Sequence, residues 1–143
     1  MIRTKISIFI LFLLFTCIAS AQDEDVKACL RQASISENNK NYIEATEFCS
    51  KALILNPVYE EAYFRRGYYK YLLGDFSAAI KDFNVALKLN PEHVDAHLYK
   101  ASCLQKTGSK VAALNEYNEA RKLDAVVTFS HAAKDIFGSV MGQ

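Results

Sequence analysis

Chain breakers and charge imbalance are what this sequence has least of. Its 143 residues include two prolines and five glycines. A many-stranded β fold needs turn residues at short intervals, so this scarcity favours helices. The 17 Lys and Arg are matched by 16 Asp and Glu, for a net charge of +1. Affinity for phosphates comes from a surplus of cations, which argues against a dedicated nucleic-acid binder. The sequence also lacks C-x-x-C spacing, a phosphate loop, a G-x-S-x-G elbow and an H-E-x-x-H helix. No redox pair, zinc knuckle or hydrolytic constellation is therefore supported. No catalytic residue and no cofactor are assigned, and the chain is not read as an enzyme. What remains is 51% hydrophobic and 23% charged, the balance of a chain that buries a core. Its length fits one domain, or one domain behind a leader.

The N-terminus has the three parts of a secretory signal peptide. Arg3 and Lys5 precede an apolar run from Ile6 to Ile18, and Ala19-Ser20-Ala21 supplies the small residues of a cleavage site before Gln22. The run is short for a membrane span, which needs about 20 apolar residues. Residues 1–21 are thus expected to be removed on export, which implies a periplasmic or secreted protein. Acylation of Cys17 would make the chain a lipoprotein, but Thr16 stands where that signal wants Gly, Ala or Ser, so this route is disfavoured.

Behind the leader the sequence repeats itself. Pro57 and Pro91 set an interval of 34, and each follows a similar segment, Lys51 to Asn56 and Val85 to Asn90. A third copy runs from Glu119 to Asp124, with Ala125 in place of proline. The same interval links Ala45, Ala79 and Ala113, as it does Cys49, Phe83 and Tyr117, and Ala33, Gly67 and Ala101. Generic amphipathic helices would not share one ungapped register over three copies.

This pattern resembles the tetratricopeptide repeat (TPR), a helix–turn–helix unit with the same period. The middle copy matches best, with Tyr63 in the large aromatic slot, Gly67 in the small slot, Gly74-Asp75-Phe76 at the turn, then Ala79, Phe83, Ala86 and Pro91. Arg66 and Lys70 depart from it, standing where the family usually has Leu and Tyr. The third copy has His97 and Lys100 in the slots of Tyr63 and Arg66. The resemblance implies an all-α helical-hairpin repeat solenoid. Its three TPR units fall at about 26–59, 60–93 and 94–127, within residues 22–125, and a C-terminal capping segment occupies 128–143. Helices are expected at about 24–38, 42–55, 59–72, 76–89, 93–107 and 110–123. A seventh is expected at about 128–138, because Phe129, Ala132, Ala133, Ile136, Phe137 and Val140 form one apolar stripe. A stacked array needs such a cap at its open end. The alternative, an amphipathic membrane helix, is weak, since His131 and Lys134 are its only basic candidates.

In the family's hairpin the slots of Tyr63 and Phe83 face each other, and the first unit fills them with Cys29 and Cys49. By that resemblance the two could form a disulfide in an exported protein. The alternative is two small buried hydrophobes. Cys103 is left over. His93 and His97, with Asp95 between them, have the spacing of two metal ligands on a helix, but no third ligand converges and His97 fills an aromatic slot, so no metal site is assigned.

TPR first helices line a concave face that holds a peptide or a partner helix. By resemblance this groove takes Leu30, then Phe64, Arg65, Tyr68, Tyr71 and Leu72, then Leu98. Aromatic side chains suit such a surface, with the alternative that Tyr68 and Tyr71 pack between repeats. Of the positions where some TPR domains clamp a C-terminal carboxylate, here Leu30, Ser34, Arg65, Asp95 and Tyr99, only Arg65 is basic, which disfavours that ligand. The expected function is an exported adaptor that binds a protein or peptide, and the alternative is a self-associating assembly module.

Overall fold

A computed structural model describes residues 23–123. The expected signal peptide at 1–21, Cys17 and the C-terminal helix expected at 128–138 lie outside the described residues. Six helices follow one another: α1 over 23–38, α2 Tyr42–Leu55, α3 Glu60–Leu72, α4 Phe76–Leu89, α5 Val94–Lys106 and α6 Lys110–Leu123. No strand occurs among the described residues. The expected boundaries hold to within a residue, and the expected first residues of the third and fifth helices, Tyr59 and His93, are their N-caps.

Local chemistry repeats with the register. Asn41 and Asp75 cap α2 and α4 by accepting the backbone N–H of Glu44 (3.3 Å) and of Ala78 (3.1 Å). At the other end of each hairpin, Asn56 and Asn90 hold extended backbone before proline, and their side chains accept the N–H of Val58 and of Glu92. The turn inside each hairpin needs one residue in the left-handed region. Gly74 (φ 81°) and Gly108 (φ 84°) supply it in the second and third units, whereas the first unit uses Lys40 (φ 57°). A side chain at such an angle costs about 1–2 kcal/mol that glycine avoids.

Within each hairpin the small columns lie at the crossing. Ala33, Gly67 and Ala101 are buried against Ala45, Ala79 and Ala113. A β-carbon at Gly67 would stand 2.9 Å from Phe83, so glycine here lets the aromatic ring lie on the backbone. Two apolar clusters result. One joins α1, α2 and α3 around Cys49 and Tyr69, and the other joins α3, α4 and α5 around Phe83 and Cys103.

The departures at Arg66 and Lys70 have a common explanation that sequence reading missed. Arg66 makes a two-pronged bond to Asp82 (2.9 and 2.7 Å), and Lys70 reaches the same carboxylate at 2.7 Å. Asp82 is buried, and its bonds hold the Arg66 guanidinium still more firmly in the charged state. The third unit repeats the arrangement one period on, where Lys100 and His97 both reach Glu116 at 2.7 Å. His97 also copies its counterpart Tyr63, since Tyr63 Oη donates to Pro57 O and His97 Nε2 lies 3.1 Å from Pro91 O.

The Cys29–Cys49 disulfide is not formed. All three described cysteines are free thiols. Cys49 is sealed inside the first cluster, where burial pushes its thiol up to about 12. Cys29 packs on the edge of the same cluster, so the pair acts as small apolar filler.

Candidate functional site

The first helices of the hairpins, α1, α3 and α5, supply the residues of the expected groove. Two cavities lie along α1 and α3. One, of about 330 Å³, is bounded by Lys27, Leu30, Arg31, Tyr59 and the trio Ser34, Glu61 and Arg65. The other, of about 300 Å³, shares that trio and adds Glu37, Phe64, Tyr68 and Tyr69, so the two are neighbours with a common wall.

Arg65 lines both. The guanidinium donates to Glu61 Oε1 at 2.5 Å and to Ser34 Oγ at 2.7 Å, which ties α3 to α1. Ser34 in turn donates to the Leu30 carbonyl one turn back. Arg31 is held by Glu24 at 3.3 Å. The two cavities thus carry Lys27, Arg31 and Arg65 together with Glu37 and Glu61, a mixed set of charges.

The structure separates the expected groove residues into three groups. Phe64, Arg65 and Tyr68 line the second cavity as expected. Leu30 and Leu98 do not offer open side chains, since Leu30 is 7% exposed at the cavity floor and Leu98 is 0% exposed. Tyr71 turns toward the joint between the second and third units, with its ring 5.5 Å from Tyr99 and 5.8 Å from Phe76, while Leu72 is exposed at the end of α3. Tyr68 does both jobs, packing edge-on to Tyr99 at 5.0 Å from the groove side. Burial pushes the Tyr99 hydroxyl up to about 12, so it stays a neutral partner within this aromatic joint.

Sequence reasoning does not single out Tyr69. It is completely buried, stacks on Tyr42 and donates from Oη to Glu37 Oε2 at 2.8 Å. Burial and that bond both raise its pKa and keep it protonated. Its signal in the sequence is the register itself, because the same column of the next unit holds Cys103, which is also fully buried.

The two histidines do not converge. His97 points into its hairpin at Glu116, whereas His93 packs on Phe64 (4.3 Å) and faces Glu60. Glu60, Glu61 and His93 do gather three potential ligand atoms within 4.8 Å. The hydrogen bonding opposes metal binding there. His93 Nδ1 accepts the Ala96 N–H at 3.3 Å, which puts the ring proton on Nε2, the atom turned to Glu60. The 3.4 Å contact between Nε2 and Glu60 Oε1 is too poorly aligned for a hydrogen bond. Glu61 is already engaged by Arg65. No helix among the described residues is long and apolar enough to cross a membrane.

Two family profiles, both described as tetratricopeptide repeat, match this chain over residues 26–59 and 64–126. The chain belongs to the tetratricopeptide repeat family. Solved structures agree with this repeat architecture. A point mutant of MamA is 28% identical, with a TM-score of 0.65 over 70% of this chain and 73% of that one. The first TPR of Spaghetti (RPAP3), solved bound to the HSP90 peptide SRMEEVD, is 16% identical, with a TM-score of 0.74 over 83% and 95%. The TPR2B domain of yeast Sti1, in complex with pHsp70, is 22% identical, with a TM-score of 0.71 over 80% and 92%. No curated protein matches the chain.

Proposed function

We propose that this TPR protein is an interaction module that holds a peptide or a partner helix in the cavities along α1 and α3, and that the leader at 1–21 exports it. The observation that carries this reading is the pair of neighbouring cavities that share Arg65, one of which sets charged side chains beside the half-buried rings of Phe64 and Tyr68. Such a surface recognises a segment by shape and paired polar contacts. Two structural neighbours solved with bound partners, an HSP90 peptide and pHsp70, support the reading. Here Arg65 is already occupied by Glu61 and Ser34, so a bound carboxylate has to compete with both.

Site-directed photocrosslinking in the native cell tests this reading. A photoreactive residue at Lys27 or Tyr68 captures one specific protein, and the same residue at exposed Ser77 does not. Equal capture at all three positions sinks the groove assignment. Capture of a second copy of the chain selects the assembly module instead. Export is tested separately by sequencing the mature N-terminus, which is expected at Gln22.

A further inference from the structure

The two cavities along α1 and α3 differ in the charge that their internal pairs leave over. In the first, Lys27 and Arg31 turn to the same carboxylate, Glu24, at 3.9 and 3.3 Å, while Arg65 is engaged by Glu61. Two cations share one acid there, so positive charge is in surplus. In the second, Arg65 is again engaged by Glu61, and Glu37 accepts from the neutral Tyr69 hydroxyl at 2.8 Å. Among the described residues no cation pairs with Glu37, so negative charge is in surplus here. Burial raises the pKa of both Tyr68 and Tyr69, and Glu37 raises each further, so its field reaches the cavity wall. Lys27, Arg31, Ser34 and Glu37 stand at i, i+4, i+7 and i+10 on one face of α1, and the surplus changes sign along that line.

Resting on the groove reading above, we propose that the bound segment carries both signs of charge. A Lys or Arg side chain enters the second cavity, with its stem against Phe64 and Tyr68 and its charge on Glu37, and an Asp or Glu meets Lys27 and Arg31 in the first. The rings and the carboxylate favour the same ligand, because the face of an aromatic ring attracts a cation. Phe64 and Tyr68 are half-buried, so an aliphatic stem covers their remaining apolar surface while the charged head keeps its ion pair. The acid on the segment displaces Glu24, whose pairs with Lys27 and Arg31 are exposed and therefore weak. Glu37 lies six residues after Arg31 and ten after Lys27, about 9 to 15 Å along the helix. An extended segment covers that span with its two charges about three to five residues apart. A wholly acidic segment meets Glu37 with no partner to offer, so the groove selects by repulsion as well as by attraction.

Selection from a phage library of random peptides on the protein purified from its own cells, followed by anisotropy titration of an enriched peptide, tests this. Enriched sequences are expected to pair an acid with a Lys or Arg at that spacing. Exchanging the peptide's lysine for norleucine, or its arginine for citrulline, is expected to weaken binding at least about tenfold in the parent and not in Glu37→Gln, whose side-chain carbonyl still accepts from Tyr69. A peptide whose binding is lost in Tyr68→Ala but which carries no cation overturns the charge assignment and leaves the groove reading standing. So does one that loses as much from the exchange in Glu37→Gln as in the parent. Failure to enrich any peptide, or peptides that bind Tyr68→Ala as tightly as the parent, overturns both. If Glu37→Gln does not fold, the norleucine or citrulline exchange on the unsubstituted protein decides, and a loss below about tenfold refutes the assignment.

Discussion

The first and second hairpins solve the same packing problem with opposite chemistry. In the second, Arg66 and Lys70 close on buried Asp82, and the wide gap is filled by Tyr63 and Phe83. In the first, the columns of Arg66 and Asp82 hold Gln32 and Phe48, and those of Tyr63 and Phe83 hold Cys29 and Cys49. One hairpin is bolted by charge around large rings, and the other is held by small apolar groups. The third lies between, with Lys100 and His97 on a more exposed Glu116. The repeat therefore keeps its geometry and lets the means vary, provided that each acid brings its base.

Removing the acid tests this contrast most severely. Asp82→Ala leaves two cations facing a buried void and is expected to cost about 3–5 kcal/mol in urea unfolding. Glu116→Ala, at a less buried site, is expected to cost about 1–3 kcal/mol. Gln32→Ala, at the exposed first-unit position in the Arg66 column, where no acid is bound, is expected to change stability by less than about 0.5 kcal/mol. Equal losses at all three positions would remove the distinction between the hairpins. Close packing comes next. Gly67→Val drives a side chain into Phe83 and is expected to cost about 1–3 kcal/mol, read as a lower melting temperature.

The turns give a smaller effect of opposite sign in the two units. Lys40→Gly relieves a left-handed lysine and is expected to stabilise by up to about 1 kcal/mol, whereas Gly74→Ala imposes the same strain and destabilises by about as much. The smallest effect depends on pH. Burial raises the Glu60 pKa in the folded state, so folding is penalised when this group ionises, and the penalty fades as pH falls through the raised folded value. Glu60→Gln is therefore expected to raise stability at neutral pH, with the gain shrinking in acid. A gain that is constant across the titration contradicts this account.

Most of the scaffold was legible because a fixed interval carries its information. Pro57 and Pro91, the alanine columns and Gly67 locate six helices to within a residue, since each reflects a local backbone or contact requirement. The groove was legible only in part. Phe64, Arg65 and Tyr68 line it, but exposure depends on which neighbour a residue meets. Tyr71 and Leu98 fall on the same helices and are claimed by packing. Asp82 escaped notice because a single acid on an amphipathic helix looks like a solvated one until its partners, 12 and 16 residues away, fold over it. Facing columns bring Cys29 and Cys49 into one apolar cluster, where both are free thiols.

The buried carboxylate of Asp82 also bears on how the chain avoids confusing its own parts. α3 packs on α2 as well as on α4, and consecutive units are alike enough that its α4-facing side could in principle take α2 instead. In that mistaken partnership Arg66 would meet Phe48, and a guanidinium would be trapped in grease without a counterion, at a cost of several kcal/mol. The Asp82 carboxylate thus favours the native pairing of α3 with α4 over that register-equivalent alternative.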